Sequence, residues 1–193
     1  SDRGDPQCAL IGYGSASKRK RSRFALADAV GKLPEGCYHL QQGIPEADLD
    51  EQALGWLLAG YSFQKYHKRP IASVRLKAPD GVDAARLEAI ASGEALIRDL
   101  VNTPASDMGP AQLEAVCHDL AGRFDAQITA IEGAALLAQN LPMIHAVGRA
   151  ADQAPRLIDM RWGTQGPTLT LVGKGVCFDT GGLNLKPGNS MGL

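Results

Sequence analysis

From Asp83 to about Asn102 the chain carries Leu87, Ile90, Leu96, Ile97 and Leu100 at helical spacing, a face broken only by Gly93. Thr103-Pro104 stops this helix, because proline disfavours helical backbone in the residue before it. Ahead of it, Pro79, Asp80 and Gly81 have turn composition and place a domain boundary. That turn therefore divides the chain into residues 1–80 and residues 81–193, with the long helix opening the second part.

The first part carries short elements: an apolar start at Cys8 to Tyr13, a mixed segment around Phe24 to Val30, and a helix expected from Asp48 to Lys68. Leu54, Leu57, Leu58 and Tyr61 give that helix an apolar stripe, so Trp56, Phe63 and Tyr66 read as packing residues and not as a stacking surface for a ligand. In the second part, Gly109-Pro110 opens a helix bearing Leu113, Val116, Cys117 and Leu120. A strand at "AQITAIEG" and a small helix from Ala134 to Gln139 follow. "PMIHAVG" and "RLIDMRWG" read as two strands of a hairpin, and the β-branched, apolar "TLTLVG" reads as a buried central strand. Alternating helices and strands predict an α/β fold: a small N-terminal α/β domain, then a second part with a mixed sheet. The last strand delivers the glycine-rich stretch "VGKGVCFDTGGLNLKP" to its carboxyl end, where open α/β sheets place their sites.

Composition narrows the class. With 193 residues, 45% hydrophobic and 21% charged, the chain is of globular make-up. No run reaches the roughly 18 apolar residues of a membrane span, and Ser1 to Pro6 lack a signal-peptide core, so the expected compartment is the cytoplasm with no membrane partner. Cys8, Cys37, Cys117 and Cys177 form no CxxC or CxxH pair, which argues against a zinc knuckle or a disulfide framework. A net charge of -1 gives no global attraction to nucleic acid. Lys18-Arg19-Lys20-Arg21-Ser22-Arg23 is a dense local basic run, read first as a solvated loop or helix start and second as a polyanion site.

Three chemistries compete for the glycine-rich stretch. A phosphate-binding loop needs GxxxxGK[ST], and Lys174 is followed instead by Gly175 and apolar residues. A plain strand-to-loop connection with incidental charges is the second reading. The third is a metal site in which Asp179 supplies a hard oxygen donor and Gly181-Gly182 lets backbone approach the ion. In a straight strand at about 3.4 Å per residue, Lys174 and Asp179 would stand roughly 17 Å apart on opposite faces. They share an ion only if the chain bends, and Gly175 is where a bend fits. A lysine ligates only as the neutral amine, which requires burial and a neighbouring cation.

The residues "VGKGVCFDTGGLNLKP" resemble the signature of the leucyl aminopeptidase family of cytosolic dinuclear-zinc exopeptidases. "RDLVNTPASDMGPAQL" resembles the family's stretch leading from a linker helix into the catalytic domain, with Asp107 where Asn is more usual. "AVGRAADQAPRLIDMRW" resembles the hairpin ahead of the VGKG strand. With "LGWLLAGYSFQKY", the likeness covers about Leu54 to Leu193. It implies that residues 81–193 hold the linker helix and the start of a zinc-exopeptidase-like catalytic domain, behind a shortened N-terminal domain. Lys174 resembles the amine ligand of one ion, Asp179 the carboxylate that bridges both, and Lys186 the non-ligating lysine that polarises the scissile carbonyl.

The implied cofactors are two divalent ions, Zn with Mn or Mg as alternatives, together with a bicarbonate acting as base. A pair about 3.5 to 4 Å apart can activate a shared water and hold the peptide's free amine. The implied partners are peptide substrates and further copies of the chain, as a homohexamer. The family's other carboxylate ligands and its bicarbonate-binding arginine would lie downstream of Leu193, so the chain is expected to be an incomplete, inactive piece of the enzyme. Substrate-pocket residues are not assigned. Two competing functions are a catalytically inactive scaffold of the same family, and a nucleic-acid-binding module using Lys18 to Arg23.

Overall fold

The computed structural model describes residues 8–68, 73–177 and 187–190. The chain forms two compact units, residues 1–102 and 103–193. No helix among the described residues is long and apolar enough to cross a membrane.

In the first unit, strand β1 (Gly36–Tyr38) pairs in parallel with β2 (Val74–Leu76), and helix α3 (Leu49–Ala59) lies in the connection between them. A parallel pair requires such a crossover. Two short helices precede it, α1 (Ala16–Arg19) and α2 (Ala27–Val30). Leu26, Ala29, Val30, Trp56 and Val74 form the core. Trp56 satisfies its indole by donating to the Val74 carbonyl at 3.3 Å. Gln52, almost fully buried, accepts from the Leu26 amide at 3.1 Å and donates to the Arg23 carbonyl at 2.8 Å, so it pins the backbone that leads into α2. Gly55 of α3 must lack a side chain, since a Cβ there would stand 2.6 Å from that of Phe24.

The helix expected from Asp48 to Lys68 is shorter than the sequence suggests. A single 3₁₀ turn (Glu46–Asp48) leads into α3, which stops at Ala59, and the amides of Gly60 and Tyr61 bond three residues back, to Leu57 and Leu58. A tertiary alternative outcompetes continuation. Tyr61 turns toward α4 (Ala84–Asn102), donating to Asp99 at 2.8 Å and accepting from Asn102 at 3.2 Å. Arg98 of the same helix donates to the Leu58 carbonyl at 3.2 Å, placing a cation at the carboxyl end of α3. Of the aromatic residues read as packing, Trp56 is in the core, while Phe63 and Tyr66 make an edge-on pair with ring centroids 5.8 Å apart. Helix α4 has the expected extent, but its apolar residues divide: Leu87 is buried, whereas Ile90 and Ile97 are exposed.

In the second unit, α5 (Pro110–Arg123) precedes strand β3 (Gln127–Glu132), helices α6 (Ala134–Ala138) and α7 (Pro142–Gly148), and strand β4 (Arg156–Arg161). β3 and β4 are antiparallel, in register from Gln127 opposite Arg161 to Glu132 opposite Arg156. Gln153 caps α5 from a distant loop, accepting from the Ala111 amide at 2.9 Å and donating to Gln112 at 3.1 Å. Gly109 leaves room for it, because a Cβ there would lie 2.6 Å from the Gln153 oxygen.

Two strand expectations need correction. "PMIHAVG" is helix α7 with Pro142 at its first turn, and β4 pairs with β3 instead of forming a hairpin with it. A short apolar run does not distinguish strand from helix by periodicity. "TLTLVG", Thr168 to Gly173, joins no ladder among the described residues; Leu169, Leu171 and Val172 are 82%, 86% and 92% exposed. A β-branched run becomes a central strand only when neighbours pair with both of its edges and cover its faces.

The second unit is tied together by one partly buried cation. The Arg156 side chain, 9% exposed, bonds Glu114 of α5, and also Glu132 of β3 at 3.1 Å. That guanidinium holds the Glu114 carboxyl below the usual carboxylate range, with His118 on the next turn adding to the effect at 3.5 Å. A carboxyl with a depressed folded pKa stabilises the fold above its unfolded value and loses that contribution as pH falls through the folded value. The unfolding midpoint of the second unit should therefore fall as pH drops below about 4.5, the unperturbed Glu value. Glu114→Gln should flatten this acid limb in a pH series of thermal melts; an unchanged limb would remove Glu114 from the account.

Candidate active-site segment

The segment that carries Lys174 follows β4 and runs from Thr168 to Cys177 without regular structure. Lys174 is exposed to solvent. Directly after it the chain meets α5: a Cβ on Gly175 would approach the Leu113 side chain to 2.9 Å, so only glycine passes here without a shift. By Cys177 the segment is half-buried, and burial pushes that thiol up. A close approach at Gly175 thus stands next to Lys174, where the sequence suggested a bend.

Of the three residues expected to act, Lys174 is therefore located and solvated, while Asp179 and Lys186 lie outside the described residues. Among the described residues no group of three His, Cys, Asp or Glu side chains is placed to hold a metal ion. The donor types fit a divalent ion, an amine nitrogen from Lys174 and a hard carboxylate oxygen from Asp179, but a dinuclear centre needs more ligands than these two. Polar residues that the sequence did not single out, Gln52, Gln153 and Arg156, all have structural partners, and no motif announces them.

What the segment belongs to is decided by likeness along the whole chain. The model of the cytosol aminopeptidase family catalytic domain matches residues 95–193, and that of the M17 aminopeptidase N-terminal domain matches residues 2–79. The chain belongs to the cytosol aminopeptidase family. A probable cytosol aminopeptidase from Roseiflexus castenholzii is 34% identical over 96% of the chain, which spans 39% of that relative. The crystal structure of the cytosol aminopeptidase from Coxiella burnetii is similar with a TM-score of 0.78 and 36% identity, over 88% of this chain and 37% of that one. The bottromycin maturation enzyme BotP, in complex with Mn, is similar with a TM-score of 0.64 and 29% identity, over 78% of this chain and 35% of its own. These matches carry the α/β class through both parts of the chain. The chain thus spans about two fifths of the length of these cytosol aminopeptidase relatives.

Proposed function

We propose that the protein carrying this chain is a metal-dependent aminopeptidase that releases N-terminal residues from peptides, with a leucine-type preference. The observation that carries the reading is the order of matches in one chain: the M17 N-terminal domain over residues 2–79, then the catalytic domain from residue 95, the second of which includes Lys174, Asp179 and Lys186. Lys174 and Asp179 would hold two divalent ions, zinc first and manganese or magnesium as alternatives, completed by ligands beyond this chain. Manganese is supported by the BotP complex. The ions would supply Lewis acidity and a nucleophilic water at neutral pH.

Lys186 has a different task. Its ammonium donates to the oxygen of the scissile carbonyl as negative charge develops there, a contribution typically of about 2.7 to 4 kcal/mol to the barrier. A bicarbonate held by a downstream arginine would accept the proton. Residues 1–80 form the N-terminal domain and 81–193 the linker helix and first part of the catalytic domain in this reading. The assembly is a homohexamer in the cytoplasm, and the 193-residue chain is inactive alone.

The free amine is the test of exopeptidase action. A full-length form should hydrolyse leucine amide and leave N-acetyl-leucine amide intact, as followed by ammonia release. Equal rates on the two substrates would refute an aminopeptidase, and a folded, metal-loaded protein inert to both would favour an inactive scaffold.

A further inference from the structure

The stretch from Gln153 through β4 to Gly175 begins and ends on a single turn of α5. At its start, Gln153 accepts from the Ala111 amide at 2.9 Å and donates to the Gln112 side chain at 3.1 Å. Arg156, the first residue of β4, pairs with Glu114. At the far end, Gly175 stands so close to Leu113 that a Cβ would meet the tip of that side chain at 2.9 Å. Residues 111–114 are thus each engaged by this one stretch of chain.

The turn is itself well fixed. Gly109 is buried at its start, donating its amide to the Gln112 side chain at 3.0 Å and accepting from the Leu113 amide at 3.1 Å. Arg156 is only 9% exposed, so its pairing with Glu114 is largely shielded from water. The stretch after β4 is held less firmly, because Thr168 to Cys177 joins no ladder among the described residues. Lys174 lies in it with an exposed side chain, directly before the glycine that meets Leu113. An amine on a long flexible stem ligates well only if its backbone is already placed, since the freedom left to the segment must be given up on binding.

We propose that Leu113 is a positioning residue for Lys174: the turn at residues 111–114 clamps both ends of the stretch, and its leucine fixes the backbone from which the amine reaches an ion. The proposal rests on the reading of Lys174 as a metal ligand. Leu113 brings no charge and no donor, so it acts through placement of the backbone and not through the chemistry of the ion.

The test compares a full-length parent with Leu113→Ala, first with the metal removed. The rate at which N-ethylmaleimide alkylates Cys177 is followed by mass spectrometry, because this half-buried thiol lies just past the contact; the exposed Cys37 of the first unit is the internal reference. Leu113→Ala should raise the Cys177 rate relative to Cys37 by roughly tenfold, the scale for losing a partly buried leucine. Leu113→Met should restore most of the protection. On return of zinc, competition with a chelator should show one ion held roughly 10- to 100-fold more weakly in Leu113→Ala, as for groups that orient ligands. Gly175→Ala displaces the leucine from the opposite side and should move both readings the same way, which keeps the test open if Leu113→Ala fails to fold. Leu120→Ala, also half-buried and further along α5, is the structural control and should lower the melting temperature without either change. Unchanged Cys177 labelling in Leu113→Ala and Gly175→Ala, an equal rise in Leu120→Ala, or faster labelling with metal affinity intact would overturn the proposal. A parent that takes up no metal would instead remove the aminopeptidase reading, and the labelling contrast would still decide whether Leu113 fixes the segment.

Discussion

Replacing Lys186 by Ala in a full-length form of this protein should lower kcat for leucine amide by roughly 10²- to 10³-fold while the metal content stays near that of the parent. The expectation follows from the separate role proposed for this lysine. With no bond to an ion, its loss removes only a donor to the oxygen on which charge develops, and a group of that kind acts in the transition state more than in the bound substrate. KM should accordingly change much less than kcat. Lys186→Arg keeps the charge but exchanges a compact ammonium for a planar fork, so partial recovery at most is expected. Elemental analysis alongside steady-state kinetics reads both quantities on one preparation. Loss of metal from Lys186→Ala would reassign this lysine as a ligand.

Lys174→Ala should behave in the opposite sense. Removing an amine ligand weakens one of the two ion positions, so the purified variant should carry less metal than the parent, and its activity should recover in part as metal is added back. Groups that merely orient metal ligands typically govern metal affinity by factors of about 10 to 100, and loss of a ligand itself should cost at least as much. Gly175, directly after this lysine, lies close to α5: a Cβ there would meet the tip of the Leu113 side chain at 2.9 Å, so that side chain would have to move. If Lys174→Ala retains both ions while Lys186→Ala loses one, the two proposed roles are reversed.

The two lysines also show how unevenly this molecule can be read from its sequence. Helix α4 is legible because its limits are set by local chemistry: Asp83 accepts from the Arg86 amide at 3.0 Å at one end, and Thr103-Pro104 closes the other. Helix α5 is legible for the same reason, through Gly109-Pro110. The end of α3 is not, since it depends on Tyr61, Arg98 and Asp99 meeting across about 40 residues of sequence. Likewise, "PMIHAVG" and "TLTLVG" are short apolar runs whose state depends on which partners reach them, and no local residue records that.

At the candidate site the residue types were readable but their arrangement was not. Lys174, Asp179 and Lys186 stand out because glycines and apolar residues surround them, and they lie within the stretch that matches the family's catalytic domain. Whether they converge depends on backbone geometry and on ligands that no local pattern encodes. The Glu114–Arg156 pair was invisible for the converse reason: charged residues 42 apart in ordinary helix and strand contexts give no sign that they will meet.

The proposed function requires that the protein carrying this chain be a metal-dependent aminopeptidase that uses Lys174, Asp179 and Lys186. The most direct measurement is leucine amide hydrolysis by the full-length protein before chelation, after removal of metal, and after return of zinc or manganese. The account predicts hydrolysis that is abolished by chelation and restored by either ion to the parent protein, but to an Asp179→Ala variant hardly at all. Hydrolysis that persists undiminished in the metal-free protein, or full restoration of Asp179→Ala, would contradict it.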